Sequence, residues 1–302
     1  MRIVVTGAAG TLGRSLLPRL AAAGHTVVAF DLVRGSGEAD WVKGDVRDAE
    51  GVLAAVEGAD VVVHSAALHG IHLADHSERE FYDLNMTGTF NVWQAAVAHR
   101  IGGVVFSSTM GVYGESRQPS ASDDVTFLDE DVHLRPADIY GWTKAAGEEL
   151  CRYHLREHAI PSIALRYGMF VPEPFFRYGV RLLYGGVHVE DVVSSVMAAI
   201  SAFDLRAVGF EVYNVESPLP FVAADARDLR ADPLAAIERH WPGARDLLLE
   251  RGVQSLKPIT EVFPVGRLQS GLGLRPTRDF SSWLADLAAL PGERSTGDLP
   301  WP

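Results

Sequence analysis

Five short runs rich in β-branched residues, 3–6 (IVVT), 26–30 (TVVAF), 60–64 (DVVVH), 103–108 (GVVFSS) and 161–166 (PSIALR), alternate with longer stretches of helical periodicity. Runs that are apolar at nearly every position suit strands whose sheet is covered on both faces. Helices between consecutive strands supply that cover, so the alternation points to βα units and a parallel sheet. The expected fold class is α/β, a doubly wound parallel sheet. The longest helix candidates are 78–100 and 140–158, and Pro18 inside the first helix is expected to kink it.

After Arg166 the pattern breaks. Residues 172–176 (PEPFF) and 184–186 (YGG) read as loop, 188–200 as a helix and 211–215 (EVYNV) as a late strand. Short amphipathic helices separated by turns come next. The expected organisation is a dinucleotide-binding domain over 1–166 and 188–215, and a small, discontinuous C-terminal substrate-binding cap from 167–187 and 216–290. Residues 291–302, polar and Pro-rich, are expected to form a flexible tail.

A formal net charge of -12 argues against nucleic acid and anionic membrane surfaces as partners. Cys151 is the single cysteine, so no internal disulfide forms, and a reducing compartment is expected. The N-terminus lacks the basic and long apolar regions of a signal peptide, and no apolar run is long enough to span a bilayer. A cytoplasmic location is the expectation.

In TGAAGTLG, Gly7, Gly10 and Gly13 follow the first strand and open the first helix. That placement suits a tight turn, close approach of backbone to a pyrophosphate, and close helix–strand packing. The helix N-terminus then presents free N–H groups and its positive dipole end. Asp31, at the end of the next strand, is placed to hold ribose hydroxyls and repel a 2′-phosphate. The arrangement predicts a Rossmann dinucleotide site with NAD as cofactor, and nearby Arg34 keeps NADP open. Asp45 and Val46, in GDVRD, read either as adenine contacts or as a turn and helix N-cap.

Tyr140 and Lys144 stand four residues apart in YGWTK. On a helix such residues share a face, with Cβ atoms about 6 Å apart. Two readings fit: an incidental pair on an amphipathic helix, or a phenol whose pKa the ammonium draws below its usual value of about 10. In the second reading the Tyr takes a proton from a substrate hydroxyl while the Lys holds the cofactor ribose. Thr109 favours it, because it follows the strand run at 103–108, at the carboxyl end of the sheet where ligands bind in open α/β folds. Asn85 reads either as a water-mediated support for the Lys or as a polar kink.

TGAAGTLG, HSAA (64–67), NMTGTFN (85–91), SSTMGVYG (107–114) and YGWTK together resemble the extended short-chain dehydrogenase/reductase family, its NAD-dependent epimerase/dehydratase group. HVEDV (188–192) and LGLRP (272–276) resemble that family's later landmarks. The resemblance implies a catalytic set of Thr109, Tyr140 and Lys144 with Asn85 as fourth member, and a homodimer formed through the two long helices. It also implies that Ala9, Thr11, Leu12 and His64 belong to the cofactor site. Ala66, Ala67, Ser107 and Tyr167 join them on the same ground. For the substrate mouth it implies Thr109, Met110, Gly168 and Met169.

Departures from the family pattern narrow the chemistry. Sugar dehydratases tend to carry an Asp-Glu pair after the catalytic Thr, where this chain has Met110 and Gly111. Nucleotide-sugar epimerases usually show an Asn where Met169 stands. RYGMFVPEP (166–174) resembles the matching stretch of uronate dehydrogenases, compact members that oxidise free sugar acids. There an Arg just past the PEP binds the substrate carboxylate, so Arg177 and Arg181 are the candidates, either as bidentate anchors or as surface residues. The Asn-His pair of that subgroup is replaced by Met110-Gly111, and the C-terminal segment is longer.

His64, His69, His72 and His76 fall in one stretch without fixed ligand geometry, so no metal is expected, and His69 or His72 is placed to touch substrate. Cys151 reads as a packed core thiol. Trp142 reads as shaping the pocket or a dimer contact. The leading expectation is an NAD-dependent oxidoreductase acting on a secondary alcohol or lactol of a sugar-like substrate. The alternatives are a redox-neutral nucleotide-sugar epimerase and a non-catalytic dinucleotide sensor.

Overall fold

The computed structural model describes residues 1–37, 39–117 and 125–290, so the expected tail at 291–302 lies outside the described residues. The first half alternates as expected: β1 (Arg2–Thr6), α1 (Thr11–Ala22), β2 (Thr26–Asp31), β3 (Asp40–Lys43), α2 (Ala49–Val56) and β4 (Val61–His64). Then come α3 (Glu78–Phe81), a π turn (Tyr82–Thr87), α4 (Gly88–His99), β5 (Gly103–Thr109), β6 (Thr126–Phe127), α5 (Ile139–His158) and β7 (Ser162–Tyr167). The rest comprises α6 (Phe175–Arg181), α7 (Val189–Leu205), β8 (Phe210–Val215), α8 (Ala226–Ala231), α9 (Pro233–His240) and α10 (Ala244–Glu250). It ends with β9 (Glu261–Val262), α11 (Gly266–Leu272) and α12 (Phe280–Ala289).

Seven parallel strands form the main sheet in the order β3-β2-β1-β4-β5-β7-β8, the doubly wound arrangement of the Rossmann fold. Strand order reverses between β1 and β4, and the crevice at the carboxyl ends of the strands beside that point is where such sheets bind ligands. On one face Leu12, Leu16 and Leu20 of α1 pack with Val192 and Val196 of α7 and Leu268 of α11. The other is covered by Val52 and Val56 of α2, Trp93 of α4 and Cys151 of α5, the last a buried thiol as expected. The continuous Val and Ile runs thus bury both of their faces.

A third cluster closes the cap: Val180 of α6, Leu229 of α8, Ile237 of α9, Leu248 of α10 and Trp283 of α12. Gly179 leaves space for the Trp283 indole, which donates Nε1–H to Phe175 O at 3.1 Å. Asp191 of α7 accepts from the backbone N–H groups of Thr277 (3.0 Å) and Arg278 (2.9 Å), tying the cap's return loop to the sheet domain.

Two local expectations are corrected. The stretch at 78–100 is broken by the π turn at Tyr82–Thr87, which carries Asn85. Residues 175–176, expected as loop, open α6, since Phe175 and Phe176 pack against the cap core. No helix among the described residues is long and apolar enough to cross a membrane.

Candidate active site

One cavity of about 930 Å³ runs along the carboxyl edge of the sheet from the glycine turn to the cap. At its nucleotide end Gly7 has φ +69°, and a Cβ there would stand 2.7 Å from Ala66 N, so both conformation and space require glycine. Gly10 precedes α1 with no side chain capping the first turn, leaving its N–H groups facing the cavity mouth. Gly13 lies outside the lining and lets α1 pack directly on the Ala8 carbonyl. Asp31 fixes the turn: its carboxylate accepts from Ala9 N at 2.9 Å and Val33 N at 3.1 Å.

Ala9, Thr11, Leu12, Asp31, Asp45 and Val46 line this end, with Ala66, Ala67, Ser107 and Tyr167 along the floor. Asp45 also pairs with the Arg47 guanidinium at 2.6 Å, which holds its carboxyl below the usual range. The free helix end, the glycine cradle and the ribose-facing acid fit a dinucleotide. His64 is a correction. It does not line the cavity; its buried ring bridges Thr6 Oγ1 (2.8 Å) and Thr89 Oγ1 (2.9 Å) and so staples β1, β4 and α4 together. Burial, and then Lys144, push it down to about 3, so the ring is neutral.

The other end gathers Thr109, Tyr140 and Lys144. Asp138 caps α5 by accepting from Gly141 N at 2.7 Å, and a Cβ on Gly141 would meet Gly111 O at 2.5 Å, so α5 is seated directly on the end of β5. The Tyr140 ring and the Thr109 side chain both border Gly111, and the Thr109 hydroxyl accepts from Gly111 N at 3.1 Å. Lys144 is buried, donates Nζ–H to Ser107 O at 2.7 Å, and stands 5.0 Å from the centre of the Phe106 ring.

The charges differ from the sequence expectation. Burial raises Tyr140 to about 12, only partly offset by the neighbouring Thr109 hydroxyl. Burial lowers Lys144 itself to about 7. The spacing brings the two onto one face, but the ammonium turns toward the Ser107 carbonyl, and desolvation outweighs attraction.

Asn85 answers to the second of its two readings, a polar residue at the break in the helix. Its Oδ1 accepts from Leu68 N (2.8 Å) while its Nδ2 donates to Leu68 O (3.0 Å) and Thr143 Oγ1 (3.0 Å). It clamps the loop after β4 to α5 and lies outside the cavity lining.

His69, Met110, Gly168 and Met169 line the substrate end. Arg177 and Arg181 do not; both pair with Glu173 of the PEP, at 3.0 and 3.2 Å, which keeps the two guanidinium groups on the cap. The cavity instead carries Arg117, which no sequence motif marked. It donates to Met110 O at 3.1 Å and pairs with Glu261 at 3.3 Å. His72 lines the rim and accepts from His69 N at 2.9 Å, and His76 pairs with Glu80 at 3.2 Å. No group of metal-holding side chains exists among the described residues. Trp142 points away from the cavity, exposed and stacked on Tyr82.

The family model described as NAD dependent epimerase/dehydratase family matches residues 3–173. The chain is 35% identical over 173 residues to L-arabinose 1-dehydrogenase (NAD(P)(+)) of Haloferax volcanii, covering 55% of this chain and 66% of that protein. It is 33% identical over 207 residues to uronate dehydrogenase of Agrobacterium fabrum, covering 67% of this chain and 72% of that protein. The matched segments thus span about two thirds of these curated relatives. A solved uronate dehydrogenase from Agrobacterium tumefaciens superposes with a TM-score of 0.66 at 23% identity, covering 98% of this chain and 91% of that one, a likeness of fold alone.

Proposed function

Since the chain belongs to the NAD-dependent epimerase/dehydratase family, we propose that it is a dehydrogenase that oxidises a secondary alcohol or lactol of a sugar or sugar acid. The observation that carries this reading is the continuity of one cavity from Gly7 and Asp31 to the side chains of Thr109 and Tyr140, which flank Gly111. Its relatives include proteins described as sugar and uronate dehydrogenases.

Bound NAD supplies the hydride acceptor and, in its oxidised form, a positive ring that favours the phenolate of Tyr140. The first-turn N–H groups of α1 would hold its pyrophosphate, and Asp31 the adenosine ribose. Val46 offers an apolar face to the adenine. At the reacting end the Tyr140 oxygen takes the proton of the substrate hydroxyl, and the Thr109 hydroxyl holds that same oxygen in place. Lys144, fixed by Ser107 O, orients the nicotinamide ribose.

The test is NADH fluorescence after mixing protein and NAD with free aldoses, uronates and nucleotide hexoses. A rising signal with free sugars or sugar acids supports the reading, whereas isomerised nucleotide sugar without NADH makes the chain an epimerase.

Asp31 sets the coenzyme preference. With the carboxylate held by Ala9 N and Val33 N, a 2′-phosphate would meet a fixed negative charge. NADP is expected to give a kcat/KM lower than NAD by roughly tenfold or more, the size of one close like-charge contact. Asp31→Ser is expected to narrow that gap, as steady-state kinetics with both coenzymes would report.

Association into a homodimer through α4 and α5 completes the proposal. Phe90 of α4 and Trp142 and Tyr153 of α5 are 47%, 46% and 43% exposed, large aromatic side chains of the kind that interfaces cover. Light scattering is expected to give a mass about twice 32.8 kDa, and a monomer would count against it. The cytoplasm remains the proposed location.

A further inference from the structure

Behind the substrate end of the cavity lies an acidic side chain that the proposed chemistry does not use. Glu216 directly follows β8 and is only 2% exposed. Neither of its carboxylate oxygens has a hydrogen-bond partner among the described residues. It presses against Gly168, in the space a side chain on that cavity-lining residue would occupy. The charged groups that act on it are Arg117 and Glu261. Arg117 is the one arginine lining the cavity among the described residues, and its guanidinium pairs with Glu261 at 3.3 Å and bonds Met110 O at 3.1 Å.

One guanidinium thus lines this end of the cavity, with two carboxyl groups behind it. Where Glu216 is protonated, as its burial favours, Arg117 and Glu261 cancel. Where it is ionised, the cluster carries net negative charge. Burial raises Glu261 as well, but the Arg117 guanidinium 3.3 Å away draws it back toward the carboxylate, so the pair leaves little positive charge for an anionic substrate group. The other arginines of the region, Arg177 and Arg181, are held by Glu173 outside the lining. Lys144, the remaining cation of the lining, is turned to Ser107 O. A substrate carboxylate would enter this pocket stripped of water and without a counter-charge, whereas a hydroxyl needs only hydrogen bonds.

Resting on the dehydrogenase reading above, we propose that the substrate is an uncharged sugar, and that Glu261 excludes sugar acids by neutralising Arg117, with buried Glu216 behind the pair supplying no positive charge. Glu261 is a specificity-determining residue rather than a catalytic one.

The experiment compares kcat/KM for NADH formation with matched pairs differing in one oxidised carbon, galactose against galacturonate and glucose against glucuronate, with L-arabinose alongside. The neutral member of a pair is expected to be favoured at least tenfold. Glu261→Gln is expected to free the guanidinium and raise the acid-to-neutral ratio about tenfold, with NADH affinity by fluorescence titration unchanged, whereas Glu216→Gln, a neutral replacement for a protonated carboxyl, is expected to leave the ratio as it is. Glu261 is partly exposed, so its variant gives the answer even where Glu216→Gln fails to fold. A uronate used as well as its neutral partner overturns the proposal and leaves the dehydrogenase reading standing. A neutral preference that the soluble Glu261→Gln variant retains overturns the assignment to this carboxyl. No NADH from any sugar overturns both readings.

Discussion

Replacing Tyr140 by Phe is expected to lower kcat by about 10²–10⁴-fold, the usual contribution of a positioned acid–base group. The loss falls on kcat because the ring remains to fill its place while the proton acceptor is gone. NADH affinity by fluorescence titration should hold, since the glycine turn, Asp31 and Val46 are untouched. The ionisation state of the phenol adds a second expectation. In the protein alone, burial pushes Tyr140 to about 12 and Lys144 to about 7, so a neutral phenol is the resting state. Oxidation requires the phenolate, whose population grows as protons become scarce. The kcat/KM for alcohol oxidation should therefore rise with pH through the neutral and mildly alkaline range, and the Phe variant should lose that slope. Full turnover by Tyr140→Phe would remove the residue from the chemistry.

The second large effect concerns stability. Arg166 of β7 and Glu148 of α5 form an ion pair whose side chains are each 1% exposed, with contacts of 2.9 and 2.7 Å. Glu148 also accepts from Ser108 Oγ at 2.6 Å, and Arg166 donates to Tyr113 OH at 3.0 Å, which in turn donates to Asn214 Oδ1 at 2.7 Å. The network ties α5 to β5, β7 and β8 beneath the reacting end of the cavity. Arg166→Met leaves the carboxylate buried without its partner, and the expected loss is about 3–5 kcal/mol. Replacing both residues by Met should recover a large part of that loss, because no orphaned charge remains. Urea unfolding of the wild type, both single variants and the double variant would measure the coupling. Single variants as stable as the wild type would refute the account.

The sheet was legible because its strands are apolar at almost every position. β3 was the faint one: Asp40–Lys43 is half polar, as suits an edge strand, and falls outside the five apolar runs. The glycine turn and Asp31 were equally legible, since each residue type answers a local demand of backbone or charge. What stayed hidden depended on which way a side chain turns. His64 ends a strand beside the cofactor turn, but its ring points into the protein between two threonines. Arg177 and Arg181 follow the PEP as a carboxylate anchor would, yet Glu173 within that tripeptide captures both. Arg117 and Glu216 lie far apart in the chain and meet only because β5 and β8 both end at the same edge of the fold.

The π turn at Tyr82–Thr87 has a consequence for insertions and deletions in this chain. A π turn accommodates one residue more than an α turn, so it sets the angular phase of α3 against that of α4, by roughly 100° per residue. Asn85 reaches Leu68 and Thr143 at once because of that phase. Deleting a single residue from this turn would regularise α3 and α4 into one helix and look conservative by every helix-forming preference. It would also rotate one flank against the other and unfasten the loop that carries His69 from the helix that carries Tyr140. The irregular turn thus works as a gear tooth: its value lies in the mismatch, and smoothing it would disengage the two walls of the cavity.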